Sequence, residues 1–214
     1  DMSEFQTEEA VDRLIGSSSK GLYGAMTSAV AKAPYSILLL DELEKAYPKA
    51  LDLFLQILDE GFVTDGYGQK INFRNCIIIA TSNAGSVIQK QLHATGGEEK
   101  EIQRKVIDHI VETGVYRLEF LNRFDSVVFF LPLVSEELLQ VVAIKLAELA
   151  ERLQTEKNIT LTFEPGVAEA LVSKGYDPLF GARSLNRFIS DTLEDQIANA
   201  SINGDVVAGG EMII

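Results

Sequence analysis

Tryptophan is absent from these 214 residues, cysteine occurs once and proline five times. A lone Cys76 excludes an internal disulfide, and its apolar neighbours read it as a buried, inert thiol of a reducing compartment. No apolar run approaches the roughly 20 residues that span a bilayer, and no signal peptide is legible, so neither a membrane nor export is expected. The natural expectation is a cytoplasmic protein. Cations are scarce too: 19 Lys and Arg stand against 32 Asp and Glu, for a net charge of −13. Phosphate backbones need Lys and Arg, so nucleic acid is not expected as the main partner. His93 and His109 have no metal-ligand company and read as surface residues. A phosphate-cradling G-x-x-x-x-G-K-[ST] loop occurs nowhere in the sequence.

What is present is ordinary globular chemistry, 46% hydrophobic and 24% charged, in a chain long enough for one large domain or two small ones. Helical spacing runs over residues 6–15 and resumes over 26–32. The stretch 17–24 reads as a flexible polar loop. Pro48 opens a helix carrying Leu51, Phe54, Leu55 and Leu58, and Gly61 ends it. Residues 62–73, with Asp65-Gly66 in the middle, predict a β-hairpin. Buried strands are predicted at 37–40, 76–80 and 127–131, with helices near 85–92 and 98–112.

From Ser135 the pattern changes. Ser135 is placed to cap a long helix reaching about Thr155, with Glu136 and Glu137 in its first turn. A strand is expected over 159–163, a helix from Pro165 to Gly175, another over 181–199, and a last hairpin from Val206-Val207 and residues 212–214. The boundary is set near 133, giving domains 1–133 and 134–214.

The most informative stretch is Ser36-Ile37-Leu38-Leu39-Leu40-Asp41-Glu42-Leu43-Glu44-Lys45. A short branched run ending in two carboxylates fits a strand buried on both faces of a parallel sheet. Ligands of open α/β sheets bind outside the carboxyl ends of their strands, where one acid can hold Mg²⁺ and the next can polarise a water. A strand that ends in a solvated acidic turn has the same pattern, and these residues alone leave both readings open. Glu44 and Lys45 read as a surface pair.

The surroundings carry a resemblance. From Pro34 the chain reads PYSILLLDELEKAYPKALDLFLQILDEGFVTDGYGQKINFRNCIIIATSNAGS. This, with DMSEF, Leu14-Ile15-Gly16, Phe120-Leu121-Asn122-Arg123-Phe124-Asp125, Gly175-Tyr176-Asp177-Pro178 and Gly181-Ala182-Arg183 in order, resembles the Clp-type AAA+ protein unfoldases (the ClpA, ClpB and ClpC family) in their second ATPase module. The resemblance covers essentially the whole chain. It implies an α/β fold: an AAA+ P-loop NTPase large subdomain with a parallel sheet, plus a smaller helical α+β C-terminal subdomain.

The resemblance also implies roles. Asp41 matches the Mg²⁺ acid, acting through water, and Glu42 the base that activates the attacking water. Asn83 matches sensor 1, which holds that water. Arg123 matches the arginine finger inserted into a neighbouring subunit's site, with a salt bridge to Asp125 as the plain alternative. Arg183 matches sensor 2, reaching the phosphates from the small subdomain. Ile15 falls on the nucleotide-side loop and is placed with the ATP-binding residues. Tyr23, in Gly21-Leu22-Tyr23-Gly24, falls near the pore-loop aromatic that grips polypeptide, although it is shifted by one position and its loop is shorter than the family's.

In the family the phosphate-cradling loop lies just upstream of DMSEF, a stretch that itself reads as the end of a strand. The implied function is ATP hydrolysis by a homo-hexameric ring that threads unfolded or aggregated polypeptide. A chain without the phosphate loop is expected to turn over little. The peptidase-docking tripeptide that follows sensor 1 in some members is replaced by His93-Ala94-Thr95-Gly96-Gly97, which puts a peptidase partner in doubt. A catalytically inactive AAA+ scaffold is the alternative; a DNA-directed motor is disfavoured by the acidic balance.

Overall fold

In the computed structural model, which describes residues 1–177 and 181–214, the chain forms two compact units, Asp1–Phe129 and Phe130–Ile214. Pro178 of the Gly-Tyr-Asp-Pro motif lies outside the described residues.

The first unit is mixed α/β. It contains α1 (Ala10–Ile15), the short strands β1 (Gly16–Ser17) and β2 (Leu22–Tyr23), α2 (Ala25–Lys32), β3 (Ile37–Leu40) and α3 (Pro48–Glu60). These are followed by β4 (Phe62–Thr64), β5 (Lys70–Asn72), β6 (Ile77–Ala80), α4 (Ser86–Ala94), α5 (Glu99–Glu112) and α6 (Leu118–Leu121). Strands β3 and β6 pair in parallel, with Leu40 opposite Ala80, so the next residues of each strand, Asp41 and Thr81, emerge side by side.

Helix α3 shows why the sequence folds as it does here. Pro48 presets the first turn, and Gly61 at φ 73° adopts the left-handed conformation that closes the last one, its N–H bonding to the Ile57 carbonyl at 2.9 Å. The face that faces the core is Ala50, Leu53, Phe54 and Ile57, while Leu51, Leu55 and Leu58 flank it. Phe54 is fully buried, a contribution of about 2–3 kcal/mol from removed apolar area.

Four expectations for this unit change. The strands β3 and β6 are covered on one face only: Leu38, Leu40, Ile78 and Ala80 turn to the core, while Ile37, Leu39, Ile77 and Ile79 are exposed. Alternation gives a two-stranded sheet two faces, and the elements of this unit pack against one. Residues 127–131 are not a strand, and none of the strands among the described residues pairs with them. Met2–Glu4 is a 3₁₀ turn capped by Asp1, rather than a strand end, and the Met2 N–H bonds to the Asp41 carbonyl at 2.7 Å. The stretch read as a flexible loop is an ordered hairpin, with Gly16 opposite Tyr23 and Ser17 opposite Leu22.

The second unit contains α7 (Ser135–Lys157), β7 (Thr160–Thr162), α8 (Val167–Gly175), α9 (Ala182–Ile189), α10 (Asp195–Asn203) and β8 (Glu211–Ile213), with a π-helical segment Ser190–Glu194 joining α9 to α10. Its core is the stripe Leu138, Val142, Leu146, Leu149 and Leu153 of α7, spaced at three and four residues, packed with Leu185, Ile189, Leu193 and Ile197. Ser135 is the first helical residue, and the exposed Val134 N–H is met instead by the Glu137 carboxylate at 2.9 Å. The last expected hairpin does not form. β8 returns to pair in parallel with β7, where Met212 sits opposite the buried Leu161. A parallel partner needs a long crossover, and α8 to α10 provide it.

No helix among the described residues is long and apolar enough to cross a membrane.

Candidate functional site

The parallel register of β3 and β6 builds one end of the sheet into a polar turn. Past Leu40 the Thr81 N–H bonds to the Leu40 carbonyl at 2.9 Å, and the Leu43 N–H bonds to the Thr81 carbonyl at 3.0 Å. The Thr81 hydroxyl donates to the Asp41 carboxylate and accepts from the Glu42 N–H at 3.1 Å. Glu44 accepts from the Asn83 N–H at 3.2 Å. Segments 41–44 and 81–83 are therefore stitched together, and this brings Asp41, Glu42 and Asn83 to one corner of the unit. Glu44, expected to pair with Lys45, instead holds the Asn83 backbone, and its second carboxylate oxygen is buried without a hydrogen-bond partner.

Glu42 has φ 54° and ψ 49°, a left-handed conformation that costs a non-glycine residue on the order of 1 kcal/mol. The bonds from its own N–H and that of Leu43 to Thr81 hold the turn in this state. Asp41 is exposed and Glu42 half-buried. Among the described residues neither acid is joined to a cation by an ion pair.

The floor of the second segment is set by Tyr116. Its ring is buried against Phe120, 5.7 Å between centroids, and its hydroxyl lies 2.9 Å from Ser82 Oγ. Burial pushes the phenol up to about 12; the Ser82 bond opposes this, and the nearby Glu44 charge adds to it. Behind the turn, Glu44, Leu51, Leu55, Tyr116, Arg117 and Phe120 line part of a cavity of about 520 Å³. Asp41 and Glu42 are not among the residues that line it.

The remaining expected site residues lie elsewhere. Arg123 pairs with Asp59 at 2.8 Å, not with Asp125. Asp59 is in the last turn of α3, whose first turn follows the acidic segment, so about 18 Å of helix rise separates the two ends. Arg123 is thus tied to the far end of α3, and among the described residues it forms no ion pair with Asp41 or Glu42. Ile15 closes α1, and its carbonyl accepts from the Thr27 hydroxyl at 3.3 Å and the Gly66 N–H at 2.9 Å, which joins it to the β4–β5 hairpin rather than to Asp41. Tyr23 is 79% exposed and stacks on Tyr67 with ring centroids 5.0 Å apart. Gly66 must be glycine for the two hairpins to meet, since a Cβ there would collide with the Gly16 carbonyl. Arg183 is exposed in the first turn of α9, in the second unit. His93, read as a surface residue, is half-buried with Nε2 3.6 Å from Glu99.

Thr81 and Asp59 carry no reading in the sequence, and Glu44 reads there as a surface charge. A signal for Thr81 existed: in a parallel pair, the hydroxyl residue that follows the second strand is the lateral neighbour of the acid that follows the first.

Residues 1–127 match the family described as AAA domain (Cdc48 subfamily), and residues 133–214 match the C-terminal, D2-small domain, of ClpB protein. The chain belongs to the AAA family, as a second module of the Clp type. Over its whole length it is 39% identical to the chaperone protein ClpB of Aquifex aeolicus and 41% identical to that of Clostridium perfringens. With the chloroplastic chaperone protein ClpB2 of Oryza sativa subsp. japonica it shares 40% identity over 96% of the chain. It spans about a quarter of these relatives, between 22% and 25% of their length. Membership in the AAA family carries nucleotide binding and ATPase chemistry as the family's activity.

The donor set fits that chemistry. Among the described residues no three His, Cys, Asp or Glu side chains gather into a metal cage. Mg²⁺ bound with a nucleotide does not need one, since it keeps waters and takes one or two carboxylates together with phosphate oxygens. Two adjacent carboxylates, one of them pinned by a hydroxyl and neither in an ion pair among the described residues, fit that share.

Proposed function

We propose that this chain is the ATP-hydrolysing second module of a cytoplasmic protein disaggregase, working as a homo-hexamer that threads unfolded or aggregated polypeptide. The observation that carries this reading is the corner formed by Asp41, Glu42 and Asn83 at the carboxyl end of two parallel strands, with Glu42 held in a left-handed turn. Strained residues that a surrounding network holds in place gather at working sites.

Asp41 would hold Mg²⁺ through a water, and the bound ion would supply positive charge against the phosphate oxygens. Glu42 takes the proton from the attacking water, and Asn83 keeps that water in line. Arg123, tied to Asp59 at the end of α3 and not to its own acidic pair, serves the neighbouring subunit's phosphates. Arg183 reaches the phosphates from the small unit and links nucleotide state to domain closure. Ile15 belongs to the wall on the nucleotide side. Tyr23 offers an aromatic face to the threaded chain. The 214 residues by themselves turn over little ATP, because they carry no G-x-x-x-x-G-K-[ST] loop to hold the phosphates.

The test uses the full-length protein. Glu42→Ala is expected to abolish turnover, by at least about 100-fold, while nucleotide stays bound. Turnover within a few-fold of the parent would overturn the role of Glu42, and a parent that binds nucleotide without hydrolysing it would favour an assembly scaffold. Mixing Arg123→Ala subunits with Glu42→Ala subunits should restore part of the lost turnover, since each supplies what its neighbour lacks. No recovery on mixing removes the case for a finger in trans.

A further inference from the structure

We infer that Thr81 is a positioning residue for hydrolysis, one hydroxyl that aims the metal-side carboxylate and locks the turn presenting the base. This rests on the reading of Asp41 and Glu42 given above.

A hydroxyl has one proton to donate and two lone pairs to accept with. Thr81 spends the proton on Asp41 and one lone pair on the Glu42 N–H, 3.1 Å away. The donation occupies one oxygen of the Asp41 carboxylate, fixes its rotation and leaves the other oxygen open. The acceptance satisfies a backbone N–H at the residue whose left-handed φ of 54° has to be held against its own preference. The Thr81 backbone adds a third tie, from the Leu43 N–H to its carbonyl at 3.0 Å. That tie survives any side-chain substitution, so the hydroxyl's share is separable from the fold's. No other side chain bonds to both Asp41 and the Glu42 turn among the described residues.

The chemistry at stake is orientation. Partners that orient a metal's carboxylate typically matter by 10–100-fold in metal affinity or activity. Thr81→Val keeps the shape and removes the hydroxyl; Thr81→Ser keeps the hydroxyl. In the full-length protein, Thr81→Val is expected to raise the Mg²⁺ concentration for half-maximal binding of a fluorescent ATP analogue about tenfold. It should lower kcat by about 10–100-fold with little change in KM. Thr81→Ser should stay within about threefold of the parent on both measures. Hydrogen exchange on the nucleotide-free protein adds two readouts: in the parent, whatever any variant's folding, the Glu42 amide should be protected, and in Thr81→Val that protection should fall.

Asp41→Ala and Glu42→Ala, measured alongside, separate two failures. If neither changes Mg²⁺ dependence or turnover, the acidic pair is not the site, and the inference falls with it. If they act while Thr81→Val matches the parent, or while Thr81→Val and Thr81→Ser lose equally, Thr81 has no positioning role and the site stands. An unprotected Glu42 amide in the parent also overturns the inference.

Discussion

Among the described residues two non-glycines adopt the left-handed conformation, one in each unit: Glu42 and Asn158, both at φ 54°. Asn158 ends α7 and suits its place. Asparagine tolerates this conformation, its N–H closes the helix on the Gln154 carbonyl at 3.1 Å, and its carbonyl takes the Gly209 N–H at 2.6 Å. Glu42 ends no long helix, and a glutamate has no such tolerance. It is kept there from outside, by a residue 39 positions away. The same backbone state is a helix stop in the second unit and a held strain in the first. The two units differ in the same way at large: the second is an α7-centred apolar core with a short strand pair, whereas the first sets a polar network at the end of its parallel strands.

The strongest way to break this comparison is through the cores, which are separate clusters. Phe54→Ala should destabilise the first unit by about 3–5 kcal/mol, and Leu185→Ala the second by about 2–5 kcal/mol. Hydrogen exchange should localise each loss to its own unit. Equal loss of protection in both units from either change would mean one cooperative body and would end the contrast.

A smaller effect belongs to the first unit alone. The folded Tyr116 phenol is raised from 10 to about 12 by burial, so between those values the folded state keeps a proton that the unfolded state releases. Stability is then full below pH 10 and falls as pH rises towards 12, by at most about 3 kcal/mol. Tyr116→Phe should remove most of that alkaline slope in denaturant titrations; an unchanged slope would place its cause elsewhere.

Smaller again is the backbone difference itself. Glu42→Gly relieves the turn and should stabilise the first unit by roughly 1 kcal/mol while turnover is lost, whereas Asn158→Gly should change stability by only a few tenths of a kcal/mol. Equal gains in chemical denaturation would show that Glu42 is no more strained than Asn158. Last comes the Arg123–Asp59 pair. Both side chains are partly exposed, so Asp59→Asn should cost about 0.2–1 kcal/mol. A larger loss would give the pair a structural weight that the second unit's Arg152–Glu194 pair, at 2.7 Å, should share.

Much of this was legible in the residues because it is local. Pro48 and Gly61 bracket α3, Asp65-Gly66 makes the β4–β5 turn, and the spacing of leucines marks α7. The acidic pair was readable as a pair, since an apolar run that stops at two carboxylates shows in any linear scan. What did not show was pairing at a distance. Residues 127–131 have the composition of a strand but pair with no strand among the described residues, and residues 212–214 found β7 rather than Val206-Val207. Arg123 found Asp59 rather than its sequence neighbour, and Glu44 found the Asn83 backbone rather than Lys45.

The residues alone determined where helices begin and end, which faces are apolar, and that two carboxylates follow a short hydrophobic run, because propensity, capping and periodicity act within a few positions along the chain. Only the tertiary structure decided that Thr81 would stand beside Asp41, that Glu42 would be held in a left-handed turn, and that β3 would be covered on one face. Those outcomes depend on strand register and on which elements are available to pack, and neither is written at any single position.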